Sequence, residues 1–132
     1  MIQTIRAATK GWGANAQKVI DALATKDATD RWKLYLRYKE LMEKDLEDLM
    51  KKEFSGDFGL AMRFLALPLN ECECLMIKKA TDGMGAQVNI VWSTLCGRTN
   101  DEIELIKKTY YKKYDKDLGK LLAKELHGDM ER

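Results

Sequence analysis

Lys10-Gly11-Trp12-Gly13-Ala14 and Glu53-Phe54-Ser55-Gly56-Asp57-Phe58 are the two stretches that decide how this chain is read. Both return seventy-two residues later: Gly11-Trp12-Gly13-Ala14 as Gly83-Met84-Gly85-Ala86, and Lys52-Glu53-Phe54-Ser55-Gly56-Asp57 as Lys124-Glu125-Leu126-His127-Gly128-Asp129. Between them Lys44-Asp45-Leu46 returns as Lys116-Asp117-Leu118. In each copy forty residues separate the second glycine from the glutamate (53 − 13 and 125 − 85). A repeat that kept only buried apolar positions would report a fold. One that also keeps a glycine turn and a remote carboxylate at fixed separation points to a duplicated site.

The 132 residues therefore read as two units, 1–68 and 69–132. A single proline and few β-branched runs predict an all-α fold. In the first unit the pattern predicts helices over 4–10, 15–24, a third opened by Asp27 or Thr29, and then 45–54 and 58–66, the last stopped by Pro68. Val19, Ile20 and Leu23 share one face of the second helix, and Leu34 and Tyr38 share one face of the third. The second unit repeats this order over 71–81, 87–96, a third helix from Thr99 or Asn100, and 116–126, with Ile106 and Tyr110 standing for Leu34 and Tyr38. The sequence stops at Arg132, so the expectation is five helices, then four and a stub, with the second unit truncated and partly uncovered.

Composition narrows the function. A net charge of +2, with no basic block interleaved with aromatics, argues against nucleic acid. No apolar run approaches the ~20 residues of a membrane span. Three cysteines (Cys72, Cys74, Cys96) with no CxxC pair argue for a reducing compartment and against structural zinc. A cytoplasmic location is expected. No nucleophile–base pair supports an enzyme.

The chemistry follows from the hairpins. If the first and last helix pairs of a unit pack side by side, the glycine turn and the glutamate meet at one end. Glycine allows positive φ, so successive carbonyls can aim into one space. Converging carbonyl oxygens with one bidentate carboxylate make a hard-oxygen site suited to Ca²⁺. A single carboxylate makes such a site weak alone, leaving positions for water or an external phosphate.

Lys10-Gly11-Trp12-Gly13-Ala14 with Glu53-Phe54-Ser55-Gly56-Asp57-Phe58, and their second copies, resemble the endonexin repeat of the annexins. Gly97-Arg98-Thr99-Asn100 is similar to that family's junction between its second and third helices. The resemblance covers nearly the whole chain and matches the first half of a four-repeat annexin. It implies a right-handed superhelix of five-helix repeats and calcium-dependent binding to acidic phospholipid at a membrane periphery. Carried over position by position, one Ca²⁺ would take the carbonyls of Thr9, Gly11 and Gly13 with the Glu53 carboxylate. A second would take those of Thr81, Gly83 and Gly85 with Glu125. Lys10, Trp12 and Met84 would then touch the membrane, Trp12 through an indole suited to the headgroup zone.

The chain departs from the family pattern in places. Ala14 and Ala86 stand where threonine is usual, which would remove a helix N-cap. Asn15 and Gln87 replace the acid that follows, and Asp82 replaces a basic residue in the second copy. These departures favour site one over site two. They also sustain an alternative: a membrane- or cytoskeleton-associated scaffold with weak or no calcium dependence, as the protist giardins illustrate, with a cytoskeletal or self-association partner on the uncovered second repeat.

Overall fold

The computed structural model describes residues 2–11, 13–83 and 86–126. Those residues form helices and no strand: α1 (Ile2–Thr9), α2 (Ala16–Ala24), α3 (Ala28–Met42), α4 (Leu46–Glu53), α5 (Gly56–Leu65), α6 (Leu69–Thr81), α7 (Val88–Leu95), α8 (Asn100–Tyr114) and α9 (Leu118–Glu125). The chain divides into two compact units, Met1–Leu69 and Asn70–Arg132. Residues 127–132, where a last helix of the second unit would begin, lie outside the described residues.

Short polar side chains start the helices. Asp27 accepts from the Asp30 amide at 2.8 Å to cap α3, and Asp117 accepts from the Lys120 amide at 2.9 Å to cap α9. Thr99 opens α8 with a reciprocal box, accepting from the Glu102 amide while the Glu102 carboxylate accepts from the Thr99 amide. That pairing holds the Glu102 carboxyl below the usual carboxylate range. The cap of α2 corrects an expectation. Asn15, not residue 14, is the N-cap, and its side chain accepts from the Lys18 amide at 3.2 Å. Alanine at position 14 therefore removes no cap from the first copy. Gln87, the equivalent residue of α7, makes no such bond, because its longer side chain does not fold back onto the helix start.

Boundaries shift from expectation by a turn or less. α1 ends at Thr9, which leaves Lys10 in the turn, and α5 starts at Gly56 rather than residue 58. Pro68 both ends the approach from α5 and precedes the first residue of α6, where a missing amide costs nothing.

Each unit has its own core, and the same positions build both. Ile5, Ala8, Val19, Leu34, Tyr38 and Leu46 are buried in the first unit. Their partners seventy-two residues on, Ile77, Ala80, Val91, Ile106, Tyr110 and Leu118, are buried in the second. In α5 the residue driven into the core is Met62, while Leu60, Phe64 and Leu65 are half-buried. Cys74 is fully buried and donates to the Ile106 carbonyl at 3.5 Å. Burial pushes its thiol up to about 12, so it is a packing residue and not a nucleophile.

Ion pairs within the units differ. In the first, Arg63 of α5 clasps Glu47 of α4 at 2.9 Å, both largely buried. In the second, Arg98 reaches back from the α7–α8 junction to Glu73 of α6, a carboxylate whose side chain is 9% exposed. Burial pushes the Glu73 carboxyl above the usual range, against the pull of Arg98 and with a push from Glu102. Arg98→Ala should therefore cost on the order of 2–3 kcal/mol, because it strands a buried charge. Glu73→Gln should cost less. A carboxyl raised by folding favours the folded state at low pH and opposes it as pH rises through the folded value. The Arg98→Ala deficit should thus shrink on acidification. Urea unfolding at neutral and mildly acidic pH measures it, and an equal deficit at both would refute the account.

Candidate calcium sites in the two repeats

The turn after α1 is closed by a backbone bond. The Asn15 amide donates to the Ala8 carbonyl at 2.8 Å, pinching residues 9–14 into a loop. In the second unit the Gln87 amide donates to Ala80 at 2.7 Å, the same bond seventy-two residues on. Inside the loops Gly11 (φ 98°), Gly13 (φ 80°) and Gly83 (φ 101°) hold a left-handed conformation that side chains resist. A Cβ there would meet no atom within 4 Å, so the requirement is conformational, not steric. All three glycines are exposed.

The threonines that begin each loop are set alike. The Thr9 hydroxyl donates to the Ile5 carbonyl at 2.9 Å, and the Thr81 hydroxyl donates to Ile77 at 2.9 Å. Both hydroxyls are committed to their own helix, so what each threonine offers a cation is its backbone carbonyl. Those carbonyls stand at the C-terminal, negative end of the helix dipole, which favours a cation.

Glu53 is the last residue of α4 and Glu125 the last of α9, and both are half-buried. In the first unit a cleft of about 500 Å³ brings the end of α1 against the start and outer face of α4, lined among others by Thr9, Lys10, Asp48 and Lys52. Lys52 of that lining precedes Glu53 in sequence, but Glu53 itself does not line the cleft. Among the described residues no three His, Cys, Asp or Glu side chains gather to hold a metal. A site made of backbone carbonyls and one carboxylate requires no such gathering. The chemistry of the donors, all hard oxygens, fits Ca²⁺. Trp12, Met84 and Gly85 lie outside the described residues.

The sequence reading missed the charge around the first loop. Arg6, Lys10, Lys44 and Lys52 all line the cleft, with Asp45 and Asp48. Asp45 is drawn toward Lys39 at 3.2 Å. The Arg6–Lys10 spacing of four residues, one helical turn, was the available signal. In the second unit the equivalents are Lys78 and Asp82, which neutralise each other at 3.3 Å, and Lys78 lies 5.3 Å from the centre of the Tyr114 ring. The buried tyrosines sense the difference. Burial raises both hydroxyls, but Arg6 pulls Tyr38 back down whereas Asp82 pushes Tyr110 further up.

Two helical repeats, each with a glycine loop and a glutamate that ends its fourth helix, define a class of protein that comparison identifies. The Annexin family model matches residues 2–65 and 73–132. The chain belongs to the annexin family. It is 32% identical over 130 residues to annexin A5 of Cynops pyrrhogaster, covering 98% of this chain and 40% of that protein. It is 31% identical over 130 residues to annexin A7 of Homo sapiens, covering 98% of this chain and 27% of that one. Among solved structures it superposes on annexin III with a TM-score of 0.85 at 27% identity, covering 98% of this chain and 40% of that chain. A K16A mutant of annexin A8 gives 0.84 at 29%, covering 99% and 41%. The chain thus spans two fifths or less of the curated relatives it matches here.

Proposed function

We propose that this chain binds acidic phospholipid membranes through calcium. One ion is held by the carbonyls of Thr9, Gly11 and Gly13 with Glu53, and a second, weaker one by Thr81, Gly83 and Gly85 with Glu125. The observation that carries the reading is the pair of loops, each closed by the same backbone bond and each holding left-handed glycine. The fold is shared with a calcium-bound structure of annexin (Sm)1, at a TM-score of 0.76 and 24% identity. For the present chain the argument rests on its own donors.

Calcium, when bound, supplies a positive centre that a lipid phosphate can complete. The chain's own residues do the rest. Lys10 beside the first loop, with Arg6, Lys44 and Lys52 in the cleft, gives an anionic surface a second attraction. Trp12 and Met84 are the proposed membrane contacts between the glycines. No helix among the described residues is long and apolar enough to cross a membrane.

Co-sedimentation with phosphatidylserine vesicles tests this. Binding should appear with calcium and vanish with chelator. Sedimentation indifferent to chelator would instead select the scaffold reading. A second expected result concerns charge: Lys10→Glu should weaken vesicle binding about threefold to tenfold at low salt and much less at high salt, where screening acts over ~3 Å. An effect independent of salt would exclude the electrostatic role.

A further inference from the structure

The second loop differs from the first at the residue before its first glycine, where Asp82 stands in place of Lys10. Asp82-Gly83 is the one Asp-Gly pair in the sequence, and no Asn-Gly pair occurs. α6 ends at Thr81, so the pair lies just beyond the helix. The Asp82 amide still donates to the Lys78 carbonyl at 2.9 Å, but among the described residues no backbone carbonyl accepts from the Gly83 amide. Gly83 is exposed, with φ 101° and nothing within 4 Å of where a Cβ would stand. Its nitrogen has neither a side chain nor a helical bond to shield it. Aspartates inside helices are placed differently. The amide after Asp30 donates to the Asp27 carbonyl at 3.0 Å, and the amide after Asp48 donates to the Asp45 carbonyl at 3.4 Å.

We infer that Asp82-Gly83 is a site of spontaneous isomerisation to isoaspartate, a covalent modification that falls on the second loop and not the first. The Gly83 nitrogen attacks the Asp82 carboxyl carbon. A C–N bond forms, a C–O bond breaks, and the carboxyl hydroxyl leaves with the amide proton as water, closing a succinimide ring. Water then opens the ring at either carbonyl. One opening restores aspartate; the other routes the main chain through Cβ and frees the α-carboxylate. Solvent is the only co-reactant, and mass is unchanged. Lys78 restrains the first step, because its Nζ stands 3.3 Å from both carboxylate oxygens and an ion-paired carboxylate is a poor target for the nitrogen. Both partners are partly in water, so the restraint is at most about fivefold, equivalent to ~1 kcal/mol. The product fits the loop badly. The Gln87 amide closes that loop onto the Ala80 carbonyl at 2.7 Å, and isoaspartate inserts an extra main-chain atom inside the closure. The insertion falls between the carbonyls of Thr81 and Gly83. On the calcium role proposed for them, an isomerised copy loses its second site and keeps its first, where Lys10 has no carboxyl to react.

Peptide mapping of the folded chain, after prolonged warm incubation at neutral pH without calcium, tests this. Trypsin releases residues 80–98, in which Asp82 is the one aspartate. That peptide should split into two chromatographic forms of equal mass. Electron-transfer fragmentation should place isoaspartate at residue 82, and a methyltransferase specific for isoaspartate should label the later sample alone. Equal mass also separates the event from deamidation of Asn89 in the same peptide, which changes the mass. Asp82→Glu should give one form, since the longer side chain closes its ring far more slowly, and its circular dichroism should match the parent's. Lys78→Gln should quicken the reaction by up to about fivefold. A single form in the folded chain, while a synthetic peptide of the same sequence isomerises, would overturn the inference. So would isoaspartate that accumulates mainly at another aspartate, or that persists in Asp82→Glu. A rate unchanged in Lys78→Gln would overturn the restraint assigned to that pair. The readout is chemical, so it fails separately from the calcium reading: isomerisation with calcium titration unchanged supports the inference and removes the second loop from that reading.

Discussion

Glu53→Gln raises the calcium needed for half-maximal vesicle binding by at least about tenfold, equivalent to ~1.4 kcal/mol, and Glu125→Gln raises it by clearly less. Glu53 and Glu125 are the one side-chain charge proposed for each site, and the amide keeps their size while removing that charge and the bidentate grip. The proposed inequality of the two sites rests on what stands beside each loop. Lys10 adjoins the first and favours an anionic surface. Asp82 adjoins the second, and Lys78 at 3.3 Å neutralises it without reversing its sign. A site that contributes little has little to lose. Isothermal titration separates intrinsic calcium affinity from the vesicle-linked affinity. Equal losses, or a larger loss in Glu125→Gln, would contradict the ranking.

Gly59→Ala destabilises the first unit by about 2 kcal/mol, although alanine is the better helix former by ~1 kcal/mol. Gly59 lies in the first turn of α5, where that helix turns back against the end of α4. A Cβ there would stand 2.6 Å from the Phe54 carbonyl oxygen and 2.7 Å from its carbon, both backbone atoms that cannot swing away. The strain falls on Phe54, whose amide closes the last bond of α4 to the Met50 carbonyl at 3.0 Å, immediately after Glu53. The variant should therefore lose thermal stability and calcium-dependent binding together. Gly56→Ala separates the two ways a glycine is needed: its φ of 65° is costly for alanine, but a Cβ there meets nothing. A Gly59→Ala protein as stable as the parent would show that α5 tilts away freely and that the turn does not fix Glu53.

Periodicity and the seventy-two-residue offset made the all-α fold and much of the paired cores legible without coordinates. Ile5 and Ile77, or Tyr38 and Tyr110, are buried alike because duplicated helices bury the same stripe. The loop glycines were legible for the same reason, since a left-handed turn leaves few residue types to choose from. What the pattern could not supply was which side chain wins a local competition. Asn15 caps α2 because its short side chain, in extended backbone, reaches the Lys18 amide. Met62 is buried ahead of Phe64 and Leu65 because the rotation of α5 is set by how closely Gly59 lets it approach Phe54. The same holds for charge. Sequence alone put Lys10 and Asp82 at equivalent positions, and so determined that the two loops differ in sign. The Lys78–Asp82 pair, four residues apart, is local and legible along the chain, whereas only the tertiary structure gathered Arg6, Lys44 and Lys52 around the first loop, because such partners are chosen by distance through space.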